Sequence, residues 1–274
     1  MGLVTLTTDF GTVDGYVGAM KGVIARIAPE ARVLDLTHDI PHQDVRAAAF
    51  ALHRAVPFFP PGTVHCVVVD PGVGTSRRPL AAETGDGQVL VGPDSGVFTL
   101  FLPPFADVEL RAVELDVRDW WRAPGTPSST FHGRDVFAPV AAHAARHIDE
   151  GTFDLARYGS PAARLARFAV AEPVQDREGW RGEVMNVDHF GNAVTNLPGP
   201  WIAAGGDGTS VEIVVEVGSH RMPLVRTYAD VRAGELCALI GSSGWLEVAQ
   251  REGSAAEHLG LAPGIPVVVR KEAR

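Results

Sequence analysis

The chain has 274 residues, 46% of them apolar and 21% charged, with a formal charge of −9 at neutral pH. That length suits two domains of about 100–200 residues each. The composition excludes wholesale disorder, and the acidic balance argues against a general nucleic-acid-binding face. Lys21 and Lys271 are the only lysines and neither follows a glycine-rich loop, which excludes a P-loop NTPase.

In chain order, Leu3–Thr8 predicts a short strand and Gly15–Ile27 a helix that stops before Pro29. Arg32–Leu36 reads as a strand and Val45–Val56 as a helix ended by Pro57. Thr63–Val69 is a continuous β-branched run, as in a strand buried on both faces. Val89–Val91 predicts another strand, Gly96–Leu102 a helix, and Arg134–His147 a helix with Pro139 early in it. Strands alternating with helices imply an N-terminal α/β domain with a largely parallel sheet over residues 1–167. Residues 168–181 carry prolines and charge and read as a linker. Beyond them, Gly182–Val187, Ser210–Val217, Glu235–Ile240, Gly244–Val248 and Pro266–Arg270 predict short strands between turn residues. Residues 182–274 therefore read as a smaller, all-β, barrel-like domain. No apolar run reaches the ~20 residues of a membrane span. The start lacks a basic segment and a cleavage site, and Cys66 and Cys237 stand far apart, so a cytoplasmic protein with two buried thiols is expected.

Polar clusters fall at the predicted strand ends, where parallel sheets bind ligands. Asp9, in Thr7-Thr8-Asp9-Phe10-Gly11, reads either as a carboxylate for a ribose diol or as part of a turn before the first helix. Asp70-Pro71-Gly72-Val73-Gly74 ends the apolar strand, with Arg77 seven residues after Asp70, a spacing that allows a charge-assisted pair or a plain turn with solvated arginines. Gly92-Pro93-Asp94-Ser95-Gly96 reads first as a turn. His132 stands between Phe131 and Gly133, just ahead of a helix, where an imidazole serves as a base or hydrogen-bond partner, or is structural. His143 and His147 share a helix face, but no third metal ligand is visible and no metal site is expected. In the second half, Asp188, Phe190 and Asn192, then Ser242, Ser243, Trp245 and Glu247, supply polar edges and flat rings suited to a purine or an amino-acid group, and equally to turns.

Six blocks in order, TTDFGTVDGYVGAMKG, VVVDPGVGTSRR, GPDSG, TFHGRDVFAPVAA, VDHFGNAVTN and GSSGWLEVA, resemble the S-adenosyl-L-methionine (SAM) hydroxide adenosyltransferases, relatives of the SAM-dependent fluorinase and chlorinase. The resemblance runs from about residue 3 to 270. It implies an N-terminal α/β domain, a smaller β-barrel-like domain, and a homotrimer with sites between neighbouring subunits. It implies a catalytic Asp70, Arg77 and His132, a ribose-binding Asp9, Phe131 beside the substrate, Asp188 and Ser242 at the methionine end, Phe190 and Asn192 near the adenine, and Glu247 lining the same pocket. The halogenases carry Tyr where this chain has Asp70 and Arg where it has Ser243, and the fluorinase carries Ser at the position of Gly133, so the chain sorts with the hydrolases. Asp94-Ser95 departs from the Asn beside that proline in many relatives. The implied reaction is attack of an activated water at C5′ of SAM, giving adenosine and L-methionine with no metal or organic cofactor. A SAM-dependent halogenase and a non-catalytic SAM or adenosine sensor are the alternatives.

Overall fold

The computed structural model describes residues 1–106, 110–123, 125–205 and 211–273. Two units with separate cores divide the chain, Met1–Phe168 and Ala169–Arg274.

The first unit is built on a seven-stranded sheet. Its strands are β1 (Leu3–Thr8), β2 (Arg32–Thr37), β3 (Thr63–Val68), β4 (Pro79–Glu83), β5 (Val89–Pro93), β6 (Arg111–Glu114) and β7 (Ser160–Pro161), in spatial order β2-β1-β3-β5-β4-β6-β7. The four strands from β2 to β5 in that order are parallel, and β4, β6 and β7 extend the sheet by antiparallel pairing. Crossover helices α1 (Tyr16–Ile27) and α2 (Val45–Ala55) make the parallel pairing possible. All six residues of β3 are buried. Val64, Cys66 and Val68 face one core with Met20 and Ile24 of α1 and Val140 and Ala144 of α3 (Ala138–Asp149). Val67, on the opposite face, packs with Ala48 and Leu52 of α2. Strand alternation thus turns one apolar run into the shared wall of two cores.

The expected helix at Gly96–Leu102 is only a single turn, Thr99–Phe101, because Gly96 has φ +100° and Pro103 and Pro104 follow directly. Strands β4 and β6 lack a sequence signal: PLAAE and RAVE are short and poor in β-branched residues.

The second unit is an antiparallel sheet in the order β12-β11-β15-β9-β10-β14-β13. These are β9 (Gly179–Val187), β10 (Ala193–Pro198), β11 (Val211–Val217), β12 (His220–Pro223), β13 (Leu236–Ile240), β14 (Trp245–Gln250) and β15 (Pro266–Ala273), with β8 (Val174–Gln175) paired to β9. A bridge between Leu224, just beyond β12, and Ala238 of β13 brings the two ends of the sheet together, so the barrel is nearly closed. Trp180, Leu197, Val215, Leu246 and Val267 lie in its core. The stretch read as a linker holds β8 and the first residues of β9, and Ser210, read as a strand start, falls outside the described residues.

Both cysteines are buried, and burial pushes the Cys66 thiol up to about 12, so it stays protonated. No helix among the described residues is long and apolar enough to cross a membrane. Among them, no group of three or more His, Cys, Asp or Glu side chains is placed to hold a metal ion.

His65 is fully buried on β3, opposite Thr5 of β1. Gln88 donates its amide to the Phe59 carbonyl, so its Oε1 is the acceptor facing His65 Nε2 at 3.2 Å, and Nδ1 accepts the Thr5 hydroxyl at 2.8 Å. Burial lowers the His65 pKa to about 4, the Gln88 bond opposing it. The folded state resists a proton that the unfolded chain accepts near pH 6.5, so stability contributed above that pH is lost as the pH falls toward about 4. His65→Gln is expected to flatten this decline, read as the urea midpoint at pH 7 against pH 4.5.

Candidate active site

Strands β1 and β3 are neighbours, yet the chain leaves β1 toward β2 on one side and leaves β3 toward β4 on the other. The carboxyl ends of such a pair bound the crevice in which open α/β sheets bind ligands. Asp9 follows β1 and Asp70 lies just beyond β3, so both carboxylates stand at this crevice.

The Asp70 turn folds back on itself. Gly72 N donates to Asp70 Oδ1 at 3.2 Å, and Thr75 Oγ1 donates to the Gly72 carbonyl at 2.7 Å. Gly74 has φ +78°, and a Cβ there would sit 2.7 Å from the Ser129 carbonyl. The glycine therefore lets the turn touch the segment that carries His132. Arg77 returns toward Asp70: Nε donates to Oδ1 at 3.0 Å and Nη2 donates to Oδ2. Both side chains are 6% exposed. The same Nη2 lies 2.9 Å from His132 Nδ1.

Arginine only donates, so Nδ1 of His132 is the bare nitrogen and the ring proton sits on Nε2. Burial lowers the His132 pKa, and the Arg77 charge lowers it further, against opposing effects of Asp70 and Asp135. His132 is thus a neutral ring presenting N–H from Nε2. It stands at the head of a π-type turn, Gly133–Phe137, that leads into α3. Such turns displace backbone locally and recur at functional sites.

A cavity of about 310 Å³ opens here, lined by Asp9, Phe10, Tyr16, His42, Gln43, Val68, Asp70, Val73, Thr130, Phe131, His132 and Gly133. The first unit thus brings together all five residues expected of it: Asp9, Asp70 and His132 directly, Phe131 on the wall, and Arg77 behind. Asp9 is 6% exposed, and its Oδ2 accepts from Gln43 N at 2.8 Å and faces His42 Nδ1 at 3.4 Å. Gln43 reaches that carboxylate with φ +60°, unusual outside glycine, so the turn before α2 stores strain to hold Asp9. Phe131, Phe10 and Tyr16 form an aromatic wall, with ring centroids 5.1–6.0 Å apart. A Cβ at Gly133 would meet Met20 Sδ at 3.2 Å and the Phe131 and Phe10 rings at 3.3 and 3.4 Å, so even a small side chain is crowded there.

Sequence reasoning missed His42 and Gln43. A left-handed glutamine leaves no mark in composition or periodicity. Asp94 plays a structural part, binding Arg78 through Oδ2 and accepting Ala166 N at 2.7 Å, which ties down the end of the first unit.

In the second unit, Asp188 Oδ1 accepts from Phe190 N and Asn192 N, both at 2.9 Å, and Oδ2 accepts from the Asn192 side chain at 3.1 Å. Asp188 and Asn192 therefore build the turn that projects Phe190, which is 74% exposed. Glu247 is buried on β14, with its carboxylate against Gly241. Ser242 belongs to the turn before β14, closed by a Gly244 N to Gly241 O bond at 3.0 Å. Ala193 pairs with Val248 and Pro198 with Trp245, so the Asp188 and Ser242 turns flank opposite ends of the β10–β14 pair. Asp188, Phe190 and Asn192 are grouped, while Glu247, paired with Val194 of β10, turns its carboxylate toward Gly241, beside Ser242.

Residues 4–153 match the SAM hydroxide adenosyltransferase N-terminal domain, and residues 182–268 match the corresponding C-terminal domain. The chain is 42% identical to an (R)-S-adenosyl-L-methionine hydrolase of Salinispora tropica, over 95% of each chain. It is 44% identical to one of Thermus thermophilus, over 96% of this chain and 98% of that one. A fluorinase of an Actinoplanes species is 27% identical over 98% of this chain and 97% of the other. A solved structure of an uncharacterised conserved protein from Thermotoga maritima superposes with a TM-score of 0.85 at 36% identity, covering 97% of this chain and 99% of that one. With both domain models matched in order and near-full-length relatives above 40% identity, the chain belongs to the SAM hydroxide adenosyltransferase family.

Proposed function

We propose that the protein hydrolyses SAM to adenosine and L-methionine in the cavity at the ends of β1 and β3. The observation that carries this reading is the Asp70–Arg77–His132 cluster, hydrogen-bonded and partly buried, in the same cavity wall as Asp9. Curated relatives bearing the hydrolase name support it.

The chemistry sets the requirement. The sulfonium leaves C5′ as the neutral thioether of methionine, so no acid is needed on the leaving group. The weak partner is water, which must be held in line and relieved of a proton. Asp9 Oδ2 is held by the Gln43 amide, and its carboxylate receives the ribose hydroxyls. His132 offers Nε2–H to a lone pair of the water and has no basic nitrogen to spare while Arg77 occupies Nδ1. The Asp70 carboxylate is the acceptor of the cluster. Arg77 holds it aimed through two nitrogens, and the water proton passes to Asp70 as the C5′–O bond forms and the C5′–S bond breaks. The proton then leaves to solvent, so SAM and water yield adenosine, methionine and one proton. Positioning of this kind is worth about 7–11 kcal/mol in favourable cases.

In this reading Asp188, Phe190, Asn192, Ser242 and Glu247 contribute substrate contacts from the second unit, and the protein is a homotrimer. Light scattering of the purified protein checks the assembly as three times the mass of one chain. The crowding around Gly133 disfavours a halide-binding serine there.

Incubation with each sulfonium epimer of SAM, with and without fluoride or chloride, is expected to release adenosine and methionine and no halonucleoside. A 5′-halo product would make the protein a halogenase, and tight adenosine binding without turnover would make it a sensor. Asp70→Asn is expected to keep SAM binding while kcat falls about 10²–10⁴-fold, as for loss of a general base, and His132→Ala to keep binding while kcat falls about 10²-fold through lost positioning of the water. Wild-type turnover in both would remove the assigned roles. Asp9→Asn is expected to act mainly on KM, raising it about tenfold through a weakened charge-assisted bond to the ribose, read from initial rates against SAM concentration.

A further inference from the structure

Asp135 does not line the cavity, and its side chain is 0% exposed. Its oxygens accept from Arg122 Nε at 2.5 Å, Arg134 Nε at 2.7 Å, Arg134 Nη2 at 2.8 Å and Ser128 N at 2.8 Å. The backbone adds two ties: Arg122 N donates to the Asp135 carbonyl at 3.0 Å, and Asp135 N donates to the Phe131 carbonyl at 3.2 Å. Burial alone would raise this carboxyl, yet the hydrogen bonds from Arg134, Arg122 and Ser128 hold it far below the usual carboxylate range. One ionised group thereby staples the beginning, middle and end of residues 122–135. Between the staples run Thr130, Phe131 and His132, all facing the cavity.

The fork matters as well as the charge. Asp135 grips Arg134 through two nitrogens, which fixes the plane of the guanidinium. That guanidinium lies over the Phe131 ring, 5.0 Å from its centroid. Phe131 meets Tyr16 edge-on at 5.1 Å and Phe10 at 6.0 Å. Apolar packing would hold the loop at lower desolvation cost, so a buried carboxylate gripped by two partly exposed arginines is explained better by the single conformation it imposes than by stability.

We propose that Asp135 is a positioning residue that, through Arg134 and the loop it staples, holds Phe131 and His132 in place against the cavity. The proposal rests on the cavity being the adenosyl site.

Adenosine release by the wild type is measured first, and its failure counts against the function alone. Arg134→Met keeps the side-chain stem and removes the guanidinium. It is expected to raise KM for SAM and weaken adenosine binding about three- to tenfold, the range of a partly desolvated cation–π contact, with kcat within about twofold. Asp135→Asn is expected to raise KM similarly and to lower kcat at least about tenfold, by freeing His132 as well. A purely structural role would instead reduce the active fraction, lowering kcat at native KM. Amide hydrogen exchange over residues 128–133 reads the staple without any ligand and is expected to quicken in both variants. Native KM together with unchanged exchange in Arg134→Met would overturn the proposal, and that variant decides alone if Asp135→Asn does not fold.

Discussion

The site depends on one guanidinium shared between two acceptors. Arg77 binds Asp70 through two nitrogens and gives one of those nitrogens to His132 as well. That sharing couples three choices left open by the residues singly. Asp70 is aimed because two nitrogens of the guanidinium fork hold its two oxygens. His132 stays neutral because burial, and then the same cation, oppose its second proton. The ring tautomer is settled because arginine has no lone pair to offer. Removing Arg77 would leave a nearly buried carboxylate without its counter-charge, a loss of about 3–5 kcal/mol in comparable pairs. The cluster is thus stable only as a unit.

The fold supplies what the arginine cannot, which is the approach of distant segments. Asp70 and His132 are separated by 62 residues of chain in numbering. They meet because the buried strand β3 ends beside β1 at the reversal of strand order, and because Gly74 lets the Asp70 turn lie against Ser129. A β-carbon at Gly74 would sit 2.7 Å from the Ser129 carbonyl oxygen and push the two segments apart. The left-handed Gln43 acts similarly on the other carboxylate, turning a backbone N–H onto Asp9. At Gln43 the backbone strain falls on the cavity wall itself.

Much of the site was legible in the sequence because its parts end predictable elements. Thr63–Val69 announces a buried strand, so Asp70 must emerge at its carboxyl end, and Asp9 follows the first strand in the same way. The seven-residue return over glycines allowed Asp70 to pair with Arg77 and equally a turn with solvated arginines, and the hydrogen bonds decide for the pair. The choice between ligand and turn at Asp188 and Asn192 did not follow from the residues, and the hydrogen bonds within 188–192 show that a turn is formed. The staple at Asp135 was hidden for a different reason. Its partners Arg122 and Ser128 lie in a loop with no periodicity, and nothing in a sequence marks which of several arginines a buried carboxylate will hold. Strands β4 and β6 were missed because tertiary pairing, rather than propensity, makes them strands.

The charge of the cavity bears on which species the site holds. Asp9 and Asp70 line it, no Lys or Arg lines it among the described residues, and the rings of Phe10, Tyr16 and Phe131 form one wall. Arg77 is turned toward Asp70 and His132 and offsets only part of this field. A sulfonium is attracted both by carboxylates and by aromatic faces, and in a partly desolvated cavity each attraction exceeds its value in water. The attraction belongs to the positive sulfur alone. Once C5′–S breaks, the nucleoside is neutral and methionine carries its charges at the far end from the thioether. The same electrostatics that gathers the substrate therefore has no hold on the reaction centre of the products, so binding is strongest for the species still to react.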